Sequence, residues 1–180
     1  MSEFKLAQAA RHNYSASFHT QAAAVGFAEV NLRLQGTEPF GPCTAKREAP
    51  LTLGTAVAIG LNDGPGELSL TTTSFSGLQT RNLGDCSTGR WSDPIARGIE
   101  FLSDQIKAEV GFCVAVATEL PDDCGALCSS VLKLATSRAA CLLLANNPNI
   151  LEREFGSGCK DCGIGALHQR PSDGFDGYRH

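Results

Sequence analysis

Glu119-Leu120-Pro121-Asp122-Asp123-Cys124-Gly125-Ala126-Leu127-Cys128-Ser129-Ser130 joins two segments of different character. Before it, Phe112 to Thr118 is apolar at almost every position, the pattern of a strand buried on both faces in the middle of a sheet. After it, Ser129 can cap a helix running to about Ala145, where Asn146-Asn147-Pro148-Asn149 stops it. That helix is nearly apolar all round after Arg138, so it is expected to be buried. A glycine and two serines at a helix amino end present backbone N–H groups, hydroxyls and the positive end of the helix dipole, all suited to a phosphate. Capping alone also accounts for a glycine and a serine there. Pro121, Gly125, Ser129 and Ser130 are therefore the phosphate-site candidates, and Asp122 and Asp123 fit beside an anion only if they turn outward or hold a cation such as Mg2+.

Upstream, Ser92-Asp93-Pro94 supplies a cap, an acid and a first-turn proline, and Ile95, Ile99, Leu102 and Ile106 follow at helical spacing. One amphipathic helix is predicted to about Glu109. Leu53 to Leu61 and Glu67 to Ser74 are rich in Thr, Val, Ile and Leu, and Asn62-Asp63-Gly64-Pro65-Gly66 between them is a turn, so a hairpin is predicted. Val30, Leu32 and Leu34 alternate with Asn31, Arg33 and Gln35 as in a half-buried strand, and the proline-rich stretch Gly36 to Pro50 reads as a loop. Residues 1–20 lack a clear apolar period and are expected to be a frayed lead-in or short helix, with His12 and His19 solvated. The globular part is then residues 21–155, and residues 156–180 form a glycine-rich tail.

The chain has 180 residues, 15 Lys plus Arg against 19 Asp plus Glu, and a net charge of −4, with 42% apolar residues. That length and apolar content suit one domain with a core of its own. A mildly acidic chain without a basic run carries no electrostatic footprint for nucleic acid or an anionic membrane. The strongest apolar stretch, Ala139 to Ala145, falls short of the roughly 20 residues of a spanning helix, and the amino terminus lacks a signal-peptide core. A soluble, cytoplasmic protein is expected.

Eight cysteines are many for such a chain. Cys113 and Cys141 sit in apolar surroundings and are expected to pack as small hydrophobes. Cys124 with Cys128 and Cys159 with Cys162 form two short-spaced pairs that could close a tetrahedral zinc site, with His168 in reserve; reduced thiols are the alternative.

The junction and its flanks resemble the GHMP small-molecule kinases, galactokinases most of all. Their phosphate loop follows a strand as Pro-x-Gly-x-Gly-Leu-Ser-Ser-Ser-Ala, with an Ala-Thr pair in the next helix. Pro121, Gly125, Ser129, Ala135 and Thr136 fall without gaps on the family's proline, last glycine, last serine and Ala-Thr pair. Gly66 to Ser74 looks like the second strand of the family's opening hairpin, and Arg90-Trp91 before a helix containing Gly98 is similar to its Arg-Trp-helix segment. Glu152 to Ile164 resembles the Glu-His-x-Phe-x-Gly-x-Pro-Cys-Gly-Ile stretch, and all four keep the family's order. The resemblance implies an α+β domain with the ribosomal-S5-domain-2-like mixed sheet, helices on one face, and an ATP-dependent sugar or small-molecule kinase using Mg2+.

The chain departs from the family at several positions. Val30-Asn31-Leu32, with Gly36 and Glu38, are what remain of the first motif, and Glu29 replaces its basic residue. Asp123 stands at the middle glycine of the loop. After Cys162-Gly163-Ile164 the next aspartate is Asp173, in a Pro-Ser-Asp-Gly turn, and His168 is the nearer proton acceptor, so no catalytic residue is assigned. The family continues into a second domain where this sequence stops, and an edge left by a missing domain would favour a homodimer or a partner chain. Two expectations follow: a diverged or truncated GHMP-type kinase domain, or a non-catalytic metal-binding or protein-interaction domain built on the four paired cysteines.

Overall fold

A computed structural model describes residues 3–37, 46–72, 78–85, 90–102, 104–120 and 126–147. Their elements are α1 (Glu3–Phe18), β1 (Ala24–Thr37), β2 (Lys46–Asn62), β3 (Glu67–Thr72), β4 (Gln79–Asn82), α2 (Ser92–Ile99), α3 (Asp104–Glu109), β5 (Gly111–Thr118) and α4 (Ala126–Ala145). The five strands form one mixed sheet in the order β1-β2-β5-β3-β4, in which β5 is antiparallel to β2 and parallel to β3. The fold is α+β, a single domain.

The two-sided apolarity of β5 puts it in the centre of the sheet, and that overturns the predicted hairpin. β2 and β3 run in opposite directions but do not pair; β5 lies between them. The turn at Asn62 to Gly66 instead arches over the start of β5, where a side chain at Gly111 would collide with Gly64 O. Gly66 takes φ +69°, a left-handed conformation that glycine adopts without strain. The Asn62 amide and the Ser69 hydroxyl both donate to Glu67 Oε1, at 3.1 and 2.8 Å, fixing the exit of the turn.

Alternation along the strands divides the core into two layers. Val57, Ile59, Leu68, Leu70, Val114 and Val116 face α2, α3 and α4. Ala56, Ala58, Cys113, Ala115 and Ala117 face the other way, onto Leu6, Ala10 and Tyr14 of α1. The predicted single helical face thus holds for three helices, and α1 adds a helix on the opposite face. Where a frayed lead-in or short helix was expected there are sixteen helical residues, ending at His19 with φ 56° and its N–H on Ser15 O. Contacts four residues apart seat it, but one is an alanine and one a tyrosine, which is too faint a period to read from sequence.

Three further expectations are corrected. Lys46 to Pro50 is strand and not loop, paired with Thr37 to Arg33. The N–H and C=O of Gly54 point away from β1, toward Glu119, and Pro50 shares that parity, so its missing N–H costs no ladder bond. The single helix predicted to Glu109 is two, broken between Ile99 and Asp104, although Ile95, Ile99, Leu102 and Ile106 are all buried as the spacing required. Ser92 does not cap α2; Trp91 occupies that position without a side-chain cap, because Ser92 and Asp93 are both engaged by Arg81.

Ala126 to Cys128 are already helical, so Ser129 lies inside α4 and not at its cap. Only one face of α4 meets the sheet, leaving Leu134, Cys141 and Leu142 exposed where full burial was expected. Its length and composition would suffice to cross a bilayer, but here its apolar side lies on β1 and β2.

Candidate functional site

Small residues set the position of α4. Gly26 on β1 lies directly under the backbone of Ala135 and Ala139. At Gly98 in α2 a Cβ would stand 2.5 Å from Thr136 Cβ and 3.0 Å from Lys133 O, so α2 and α4 touch almost backbone to backbone. Ser137 Oγ donates to Gly98 O at 3.0 Å and closes the contact. Ala135 and Thr136, fully buried, therefore seat the helix against its neighbours.

This close approach brings the start of α4 against α2 and creates a cleft of about 310 Å³, lined by Arg90, Asp93, Pro94, Arg97, Ser129, Ser130 and Lys133. Arg90, Arg97 and Lys133 are exposed, as are both serines. Ser129, Ser130 and Lys133 lie on the first described turns of α4, where the positive end of the helix dipole adds to the three cations. Ser130 Oγ donates back to Ala126 O at 3.0 Å, so its proton is engaged within the helix. The cleft's carboxylate, Asp93, is held by Arg81 at 2.6 Å. A second cleft of about 390 Å³, lined by Leu70, Gln79, Thr80, Arg81, Asp85, Arg90 and Ser92, adjoins the first at Arg90. Together they form a polar trough with excess positive charge, able to hold an anion bearing several oxygens.

Ser129 and Ser130 are thus in the cleft, with Arg90 of the predicted Arg-Trp segment beside them and Trp91 packed on the core. Pro121, Asp122, Asp123, Cys124 and Gly125 lie outside the described residues, as do Cys159, Cys162, His168 and Asp173. Arg97 and Lys133 were not singled out from sequence. Lys133 follows Ser129 and Ser130 by four and three residues, which places all three on one helix face, and that spacing was the available signal.

Among the described residues no group of three or more His, Cys, Asp or Glu side chains is close enough to hold a metal ion. Of the four cysteines considered for zinc, Cys128 alone is described, and it packs partly against the core. Cys113 is buried under α1, where burial and, secondarily, the charge of Glu67 push its thiol up to about 11. Cys141 is exposed on α4, against the expectation of core packing. His12 and His19 are exposed, as expected.

No protein-family model matches the chain, and no curated protein matches it in sequence. Among solved structures, a crystal structure of mevalonate kinase is similar at 13% identity and a TM-score of 0.41, covering 73% of this chain and 46% of that one. The mevalonate kinase of Methanococcus jannaschii is similar at 14% identity and a TM-score of 0.42, covering 73% of this chain and 45% of the other. The similarity does not bear on galactokinase specificity. This chain spans less than half the length of either structure.

Proposed function

We propose that the protein is a diverged kinase-like domain of GHMP type that binds ATP, with its Mg2+, through the phosphates in the cleft between α2 and α4. One observation carries this reading: three cations, Arg90, Arg97 and Lys133, converge with two hydroxyls on the amino end of the helix at which the family's phosphate loop ends. A triphosphate is matched there by charge, by the exposed Ser129 hydroxyl and by the positive end of the helix dipole, a set that positions and neutralises a phosphoryl donor. Among the described residues the cleft's one carboxylate is held by a guanidinium, so these residues supply binding and charge neutralisation and not a general base. A galactose-like or other small hydroxylated acceptor is the substrate class that the resemblance suggests.

The test is calorimetric titration with Mg-ATP, with and without galactose. Binding in the micromolar range is expected, weakened about tenfold by Lys133→Gln through loss of one charge-assisted contact. Absence of both heat and thermal stabilisation in the native chain would refute the proposal.

A further inference from the structure

Arg81, on the edge strand β4, reaches across to the first turn of α2. One terminal nitrogen donates to Asp93 Oδ1 at 2.6 Å and to Ser92 Oγ at 3.2 Å, and the other donates to Asp85 O at 3.1 Å. The paired side chains are 11% and 8% exposed, so both charges are largely withdrawn from water. Asp93 lines the cleft of Arg90, Arg97 and Lys133, and Arg81 lines the adjoining one. The ion pair is thus the wall between the two clefts, with its carboxylate on the side where an anion would sit. Asp93 N–H also donates to Arg90 O at 3.0 Å, tying the acid to the residue that both clefts share.

A lone carboxylate in that position would repel a phosphate and take up the contacts of Arg90 or Arg97. Held by a guanidinium, it presents almost no net charge at ligand distance. We infer that Arg81 is a positioning residue for the cleft between α2 and α4: it acts there through Asp93, which it neutralises and holds back, and so sets that cleft's affinity for multiply charged anions. The inference rests on the proposed phosphate-binding reading. It assigns a role to a residue that neither the junction nor the family resemblance marks.

A purely structural role and a charge-holding role give different signs. If the pair only braced α2, removing either partner would weaken binding. If Arg81 screens Asp93, Arg81→Gln weakens binding and Asp93→Asn tightens it, although both variants lose stability through the broken buried pair. A unit charge about 8 Å from a ligand charge, at an effective dielectric near 40, shifts affinity roughly fivefold. The experiment is titration of the full chain and of Arg81→Gln, Asp93→Asn, Arg81→Lys and the double variant Arg81→Gln/Asp93→Asn with inorganic pyrophosphate and with Mg-ATP. Thermal melts confirm that each is folded.

Arg81→Gln is expected to bind about fivefold more weakly and Asp93→Asn about fivefold more tightly, with the double variant and Arg81→Lys near the native value. Should Arg81→Gln not fold, the tightening in Asp93→Asn and the retention in Arg81→Lys still decide. Weaker binding by Asp93→Asn, or unchanged binding by Arg81→Gln, overturns the inference while leaving the phosphate site standing. A native chain that binds neither probe overturns both.

Discussion

Gly26→Ala places a single added methyl against helix backbone. The added Cβ would overlap Ala135 O and Ala139 N and stand 3.0 Å from Ala139 Cα. All three are backbone atoms of a helix whose facing residues are fully buried, so no rotamer change can make room. Helix α4 would have to retreat by about an ångström along a seam that includes Val131, Ala135, Ala139 and Leu143, loosening dispersion contacts over its length. Overpacking in a tight core costs about 1–3 kcal/mol, and with backbone as the obstacle about 3 kcal/mol is expected. Alanine is itself favoured over glycine in a strand by roughly 0.5–1 kcal/mol, so the measured loss understates the clash. In a domain of this size the melting temperature should fall by roughly 6–12 °C. Urea unfolding followed by circular dichroism is the assay, with a lower midpoint and an unchanged slope expected. Mg-ATP binding should weaken in parallel, because a lifted α4 carries Ser129, Ser130 and Lys133 away from Arg97. A loss below about 1 kcal/mol would refute the seating of α4 on β1 at this point.

Gly60→Ala meets the Tyr14 hydroxyl and stands 3.0 Å from Tyr14 Cζ, the far end of a side chain, so a smaller loss of about 1–2 kcal/mol is expected. Adding Tyr14→Phe should restore part of it in urea unfolding, and no restoration would count against α1 lying on β2. Stability should fall between pH 9 and about 11, because the unfolded Cys113 thiol ionises near its ordinary 9.0 while the folded one holds its proton to about 11. That contribution is fully present below pH 9 and is lost as the pH rises through this window, and Cys113→Ala should flatten the decline in melting temperature by up to one proton's worth. Ser129→Phe, at an exposed position, should leave the melting point nearly unchanged and weaken Mg-ATP binding at least about tenfold; unimpaired binding would remove Ser129 from the site.

Much of the layer structure was legible because burial leaves a periodic trace. The two-sided apolarity of β5 announced a central strand, and Ile95, Ile99, Leu102 and Ile106 are buried even though their helix breaks. Strand pairing was not legible. The turn chemistry of Asn62 to Gly66 is the same whether the strands it joins are neighbours or have a third inserted between them, and only β5, some fifty residues later, decides. The extent of α4 was misjudged because Ser129 has capping chemistry, yet the three residues before it, without any such chemistry, are already helical. The candidate site was half legible. Ser129 and Ser130 stood out at a loop-helix junction, whereas Arg97 and Lys133 look like ordinary solvated charges until Gly98 brings their helices together. The Arg81–Asp93 pair joins an edge strand to a helix start, a contact with no local pattern.

The central claim is that the amino end of α4 and the facing side of α2 form a phosphate site. Amide chemical-shift mapping of the isotope-labelled chain during titration with Mg-ATP tests it most directly, because it reports where a ligand binds as well as whether it does. Saturable shifts at Arg90, Arg97, Ser129, Ser130 and Lys133, with the α1 face of the sheet undisturbed, are expected. An unchanged spectrum, or shifts that cluster under α1 or along the exposed face of α4, would contradict it.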